Sequence, residues 1–135
     1  MGLLNSISFQ RLQTGIDAAT LRQSALANNV ANVDTPGFKR SDVSFETLLQ
    51  QEEKGIKPTL NAKTTNPRHI QFGNAGSVPT PVTQTDTETS MNNNDNNVDI
   101  DREMALSAEN QLRYNSYVSL LNNQITMMRS AIEGR

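Results

Sequence analysis

Residues 27–40 read ANNVANVDTPGFKR, and the fold turns on how that stretch is built. Thr35 precedes Pro36, whose ring disfavours the α region in the residue before it, so a helix arriving from the N-terminal side has to stop here. Pro36-Gly37 suits the two central positions of a type II turn, proline presetting φ and glycine supplying positive φ. Asn28 and Asn32 stand four apart on one helix face, placed to close the last turn or to bond a neighbouring backbone.

Upstream of this stop, Phe9, Leu12, Ile16, Ala19, Leu26, Val30 and Val33 recur at steps of three and four, passing Gln23 on the way. That period predicts one face of a long helix, with Ser8 as its N-cap. Between Ser8 and Val33 the only charged residues are Arg11, Asp17 and Arg22; the remainder of the outer face is Gln, Asn, Ser, Thr and Ala. Buried interfaces are depleted in Lys and Glu in the same way, so the composition predicts a helix contacted on several sides.

Downstream, residues 44–55 (SFETLLQQEEKG) place Phe45, Leu48 and Leu49 on a short apolar stripe that Gly55 ends, which predicts a short helix. Pro58, Pro67, Pro79 and Pro81, with Gly73 and Gly76, then punctuate a Thr- and Asn-rich stretch with room for short extended pieces at 69–72 and 78–85. Residues 91–97, MNNNDNN, read as a polar linker that adds nothing to a core. Asp99 is the expected N-cap of a second long helix, with Asp101 and Glu103 in the first turn where the helix dipole favours negative charge. Its apolar ladder runs Ile100, Met104, then past Ser107 and Gln111 to Tyr114, Val118, Leu121, Ile125, Met128 and Ile132, and no charge occurs from Tyr114 to Met128. Gly134 suits the C-terminal end. The expected fold is therefore mainly α. Long N- and C-terminal helices pack as an antiparallel coiled-coil-like pair, with a short helix and an irregular or extended, partly disordered middle segment. The corresponding divisions are 1–36 (helix and turn, an inner assembly part), 37–98 (short helix, extended pieces and Asn-rich linker) and 99–135 (C-terminal helix, a second inner assembly part).

Composition narrows the function. The chain has 135 residues, 35% of them apolar and 4% aromatic, with no Trp. Globular domains hold about 45–50% apolar residues with Gly counted, so either part of the chain stays unordered alone or other subunits complete its buried surface. A net charge of −2 with no clustered Lys/Arg stripe speaks against nucleic acid. Zero cysteines remove disulfides, Cys zinc sites and thiol catalysis. The N-terminal stretch shows no basic segment followed by an apolar run, hence no cleavable secretory signal, and no apolar run reaches the ~20 residues of a membrane span.

Candidate chemistry is sparse. His69 is the only histidine, and its Asn-Pro-Arg-His setting reads as a turn. Asn92, Asn94, Asn96 and Glu103 loosely imitate a twelve-residue calcium loop, but Asn97 stands where that loop needs glycine and the early ligands are neutral amides. Gly73-Asn-Ala-Gly76 lacks the residues of a phosphate loop. Neither end carries the Lys/Arg-rich polar face of a membrane-surface helix. No catalytic, cofactor-binding or metal residue is expected, and helix association leads. The heptads by themselves would also suit a coiled-coil adaptor or binding module.

The 27–40 stretch resembles the N-terminal signature of bacterial flagellar rod, hook and hook-associated axial proteins. Ala27, Asn28, Asn29, Val30, Ala31, Asn32, Thr35, Pro36, Gly37, Phe38 and Lys39 stand in the matching places. TNPRHI (65–70), NNVDIDREM (96–104) and LLNNQITMMRSAI (120–132) resemble the proximal members of the basal-body rod family in particular. Val33-Asp34 is a small departure from that family's pattern. The resemblance implies a non-enzymatic structural subunit that reaches the periplasmic side through flagellar type III export, without a cleaved signal. It also implies helical polymerisation through paired terminal helices into a torque-bearing shaft around the export channel. The implied partners are other copies, other rod proteins and the MS-ring/export-gate base. No cofactor, nucleic acid, small-molecule substrate or direct membrane insertion is implied. The helix-interface residues would be Phe9, Leu12, Ile16, Ala19, Leu26, Val30, Val33, Met104, Tyr114, Val118, Leu121, Ile125, Met128 and Ile132. The turn motif would be Asn28, Asn29, Asn32, Thr35, Pro36 and Gly37.

Overall fold

The structure, a computed structural model, describes residues 7–55, 78–90 and 94–134. Its elements are α1 (Ile7–Ala31), β1 (Ser41–Ser44), α2 (Glu46–Gly55), β2 (Val82–Thr85) and α3 (Ile100–Glu133). The two long helices run antiparallel. Gly15 lies against the Tyr117 ring, the Ala19 carbonyl accepts from Asn110, and Asn29 meets Glu103, so rising numbers on α1 meet falling numbers on α3.

Local chemistry sets the ends of these elements. The Asp99 carboxylate accepts the amides of Asp101 and Arg102 at 3.0 and 3.3 Å, capping α3 as its sequence requires. Gly134, at φ 69°, closes the other end by donating its amide to Ser130 at 3.0 Å. Gly37 takes φ 70° and the Phe38 amide reaches the Thr35 carbonyl at 3.3 Å, which is the expected Pro36-Gly37 turn. Ser8 is not a cap: it sits inside α1, which is already helical at Ile7. The helix ends at Ala31 rather than Val33, because Val33 belongs to the turn that carries the chain toward Pro36.

β1 pairs with β2 antiparallel, from Ser41 opposite Thr85 to Ser44 opposite Val82. The expected extended piece at 78–85 therefore contracts to its last four residues, while that at 69–72, with His69 and Gly73-Asn-Ala-Gly76, lies outside the described residues. Among the described residues the buried apolar side chains are Ala18, Ala19, Leu26, Val43, Phe45 and Val98. Phe45 is the bulkiest of them, and it sits between β1 and α2, where these meet the helix pair.

The seam between the long helices is built differently from the apolar ladders. Its buried positions on α1 are Gly15, Ala18, Ala19, Leu26 and Asn29, and on α3 Glu103 and Asn110. Small side chains on α1 let the axes approach, since interhelix spacing follows the size of the contact residues. The linker 91–97 also departs from expectation. Asn96 is fully buried and Asn97 is 3% exposed, so residues expected to add nothing to the core are inside it. Their amides are tolerated there because each finds partners, as a buried polar group must.

Close approach at Gly15 yields a test. A Cβ built there would sit 3.4 Å from the Tyr117 ring, ordinary contact distance. Gly15→Ala is expected to hold or raise the melting temperature, with up to about 1 kcal/mol gained from helix propensity. Gly15→Leu overfills the seam and should lower stability by about 1–3 kcal/mol. Thermal denaturation followed by far-UV circular dichroism distinguishes the two; equal melting temperatures would contradict a tight seam.

Candidate functional site

The residues of the 27–40 stretch divide by helix face. Asn28 and Asn32 point outward, and the Asn32 amide donates to the Asn28 carbonyl at 2.8 Å, closing the last turn of α1. Thr35 donates its hydroxyl to Asn32 at 3.3 Å, continuing that outer chain. Asn29, one position on from Asn28, faces inward with Leu26 and is fully buried. Its side chain behaves as a strand partner: Oδ1 accepts the Ser41 amide at 2.9 Å and Nδ2 donates to the Ser41 carbonyl at 2.8 Å.

Asn29 Nδ2 also donates to Glu103 Oε2 at 2.9 Å. Glu103 is fully buried, and its other oxygen accepts Arg40 Nε at 3.0 Å. Asp42 adds a longer ion pair to Arg40 Nη2 at 3.6 Å. Arg40 in turn donates its backbone amide to Asn97 Oδ1 at 2.7 Å, and Asn97 Nδ2 reaches Asp86 and Thr89 at 3.0 and 2.9 Å. Asn96 holds the turn that follows α1: its Nδ2 lies 2.9 Å from each of the carbonyls of Asn32, Val33 and Thr35. Backbone carbonyls of a turn drawn away from water need partners, and here a side chain from the far linker supplies them. Gly37 donates to the Asn94 carbonyl at 2.9 Å, so the turn and the linker are joined by backbone as well.

A second cluster secures β1 and the start of α2 to the long helices. Glu46 accepts both Arg22 and Arg113, with Nη1 of each at 2.8 Å, and Arg22 Nη2 also donates to the Val43 carbonyl at 2.9 Å. The hydrogen bond to Glu46 raises the Arg22 pKa. For Glu46, burial pushes the carboxyl upward, but the Arg22 hydrogen bond, its own backbone amide and the charges of Arg22 and Arg113 outweigh it, leaving it below the usual value. Asp86 is likewise lowered, chiefly by the Thr89 hydroxyl it accepts.

The sequence-derived interface residues fall into three groups. Ala19 and Leu26 are buried; Phe9, Leu12, Ile16, Val30, Val33, Val118, Leu121 and Met128 are half-buried; Met104, Tyr114, Ile125 and Ile132 are exposed. The turn residues Thr35, Pro36 and Gly37 lie on the surface, and Asn29 is the inward member of its motif. Arg40, Asn96, Asn97 and the inward turn of Glu103 were not among the expected site residues. The available signal was the Asn run directly before a capped helix, a composition that reads equally well as a linker. Among the described residues no group of three or more His, Cys, Asp or Glu is placed to hold a metal. Asn94 and Asn96 of the calcium-loop imitation are bonded to the chain instead. No described helix is long and apolar enough to cross a membrane.

Comparison with known proteins follows the same parts of the chain. Residues 10–39 match the family described as flagella basal body rod protein. The chain is 36% identical over 131 residues to the flagellar basal body rod protein FlgB of Bacillus subtilis (strain 168), covering 97% of each chain. It is 31% identical over 124 residues to FlgB of Escherichia coli (strain K12), covering 90% of this chain and 89% of that one. A shorter similarity, 39% over 61 residues, links it to the basal-body rod protein FlgG of Buchnera aphidicola subsp. Acyrthosiphon pisum, across 45% of this chain and 24% of the relative.

Two outcomes test the polar clusters. Glu103→Ala leaves Arg40 buried without its carboxylate and should destabilise by about 3–5 kcal/mol, whereas Glu109→Ala, at a half-exposed pair with Arg113, should change stability by about 1 kcal/mol or less. Urea denaturation compares them, and similar midpoints would deny the node its role. Because the folded Glu46 pKa is depressed, its contribution is present above the unfolded carboxyl value and is lost as pH falls through the folded one. Glu46→Gln should therefore flatten the acid limb of stability against pH, and an unchanged limb would refute the assignment.

Proposed function

The chain belongs to the FlgB family of flagellar basal body rod proteins, and on that premise we propose that it polymerises helically through α1 and α3 to build the proximal drive shaft around the export channel. It is a structural rod subunit, of a family whose members are rod components rather than enzymes. In the proposed arrangement residues 1–36 and 99–135 form the inner assembly part, and 37–98 the outer segment. The neighbours are further copies, other rod proteins and, at the base, MS-ring and export-gate components. The subunit reaches the periplasmic side of the inner membrane by type III export, without a cleaved signal.

One observation carries this reading: α3 exposes apolar side chains on several sides. Met104, Leu112, Leu120, Ile125, Met127 and Ile132 are between 44 and 70% exposed. Large apolar side chains left together on a surface mark a place of further contact, and the single chain does not cover these. The stretch from Tyr114 to Met128 also holds no charge that assembly would have to strip of water. Of the proposed interface residues, those half-buried or exposed in one chain are the ones left for contact with neighbours.

Ile125 is 44% exposed, so Ile125→Asp should fold as the native chain does. Cells carrying it are expected to lose swimming, and their basal bodies to lack the rod, while the purified variant keeps its melting temperature. Intact rods with normal swimming would remove this face from the assembly interface.

A further inference from the structure

α3 carries two apolar flanks on opposite sides. At about 100° per residue, Leu120 and Met127 project to one side of the line that faces α1, and Val118, Ile125 and Ile132 to the other, roughly 150° away. The first flank is one wall of a groove of about 870 Å³; Arg11 and Leu12 of α1, Phe45 just before α2, and Leu49 of α2 help line the rest. The second flank is a single-helix ridge, on which Ile125 and Ile132 are 44 and 70% exposed. Groove and ridge occupy the same length of α3, within the stretch around residues 117–132.

The geometry points to a groove-into-ridge contact between copies, in which the Val118–Ile125–Ile132 ridge of one chain seats between α1, α2 and α3 of the next. The occupant is a second copy of this chain because one helix offers both halves of the fit, and from Tyr114 to Met128 it carries no charge to strip of water. A two-fold pairing would set groove on groove, or ridge on ridge, and fill neither. With the two surfaces on opposite flanks, each added copy presents a free groove and a free ridge in the same sense as the last. That is a heterologous contact, which repeats in one direction as a ring or an open helix. It gives α2 a role as the third wall of the receiving surface. The inference rests on the chain being a rod subunit and specifies how neighbouring copies meet.

The absence of native cysteines makes disulfide trapping clean. Leu49→Cys is combined in the full chain with Val118→Cys, Ile125→Cys or Ile132→Cys, and isolated basal bodies are oxidised and separated without reductant. At least one pair is expected to give dimers, trimers and longer species that reduction abolishes, while each single-cysteine chain stays uncrosslinked. Dimers from a single-cysteine chain would establish a two-fold contact and overturn the proposal, as would the lack of any crosslink in chains that enter the basal body. Absence of the native chain from basal bodies would instead overturn the rod reading itself. Should the cysteine variants fail to assemble, groove-blocked Met127→Lys and ridge-blocked Ile125→Lys decide the matter in sedimentation. Each alone should be monomeric and their mixture should form one heterodimer; a mixture that stays monomeric refutes the contact.

Discussion

The structure depends on one buried carboxylate. Glu103 is removed from water altogether, a placement that costs several kcal/mol unless a counter-charge and further donors meet it. Arg40 supplies the charge and Asn29 the second donor. For both to reach it, the end of α1, the residue just before β1 and the first turn of α3 must lie together in one arrangement. Asn96 and Asn97 extend the constraint to the linker, since their amides bond the turn after α1 and the Arg40 backbone. An apolar cluster would tolerate small slips; a set of directional bonds around a buried charge does not.

Among the described residues the buried apolar side chains are few and mostly small, and the helix pair is instead keyed at one end by amides and ion pairs. Asn110 continues that logic along the seam, donating to the Ala19 carbonyl and the Gln23 side chain. Toward the C-terminal end of α3 the helix presents Leu120, Ile125, Met127 and Ile132 outward. The molecule therefore has a self-sufficient polar end and an apolar end open to further contact. The result is a fixed joint between the helix pair and the two-stranded sheet, with helical surface left open to further contact.

Much of this architecture was legible in local sequence. The period of the apolar residues identified both long helices, Asp99 and Gly134 marked the ends of α3, and Pro36-Gly37 marked the turn after α1. Each of these follows from φ restrictions, capping chemistry or helical repeat, properties of a few consecutive residues. The family signature in residues 27–40 was legible for the same reason, being contiguous. The linker's part in the core is not legible, because amide-rich composition looks alike whether the amides face water or bond a distant turn.

What the sequence determined by itself is therefore where helices begin, run and stop, and to which family the pattern belongs. What only the tertiary structure decided is which face of each helix turns inward, and that Asn29, Arg40, Asn96, Asn97 and Glu103 form one node. The physical reason is distance along the chain: Glu103 lies 74 residues from Asn29 and 63 from Arg40. A partner that far away leaves no trace in local periodicity, so the polar residues that set the helix register looked, in sequence, like surface.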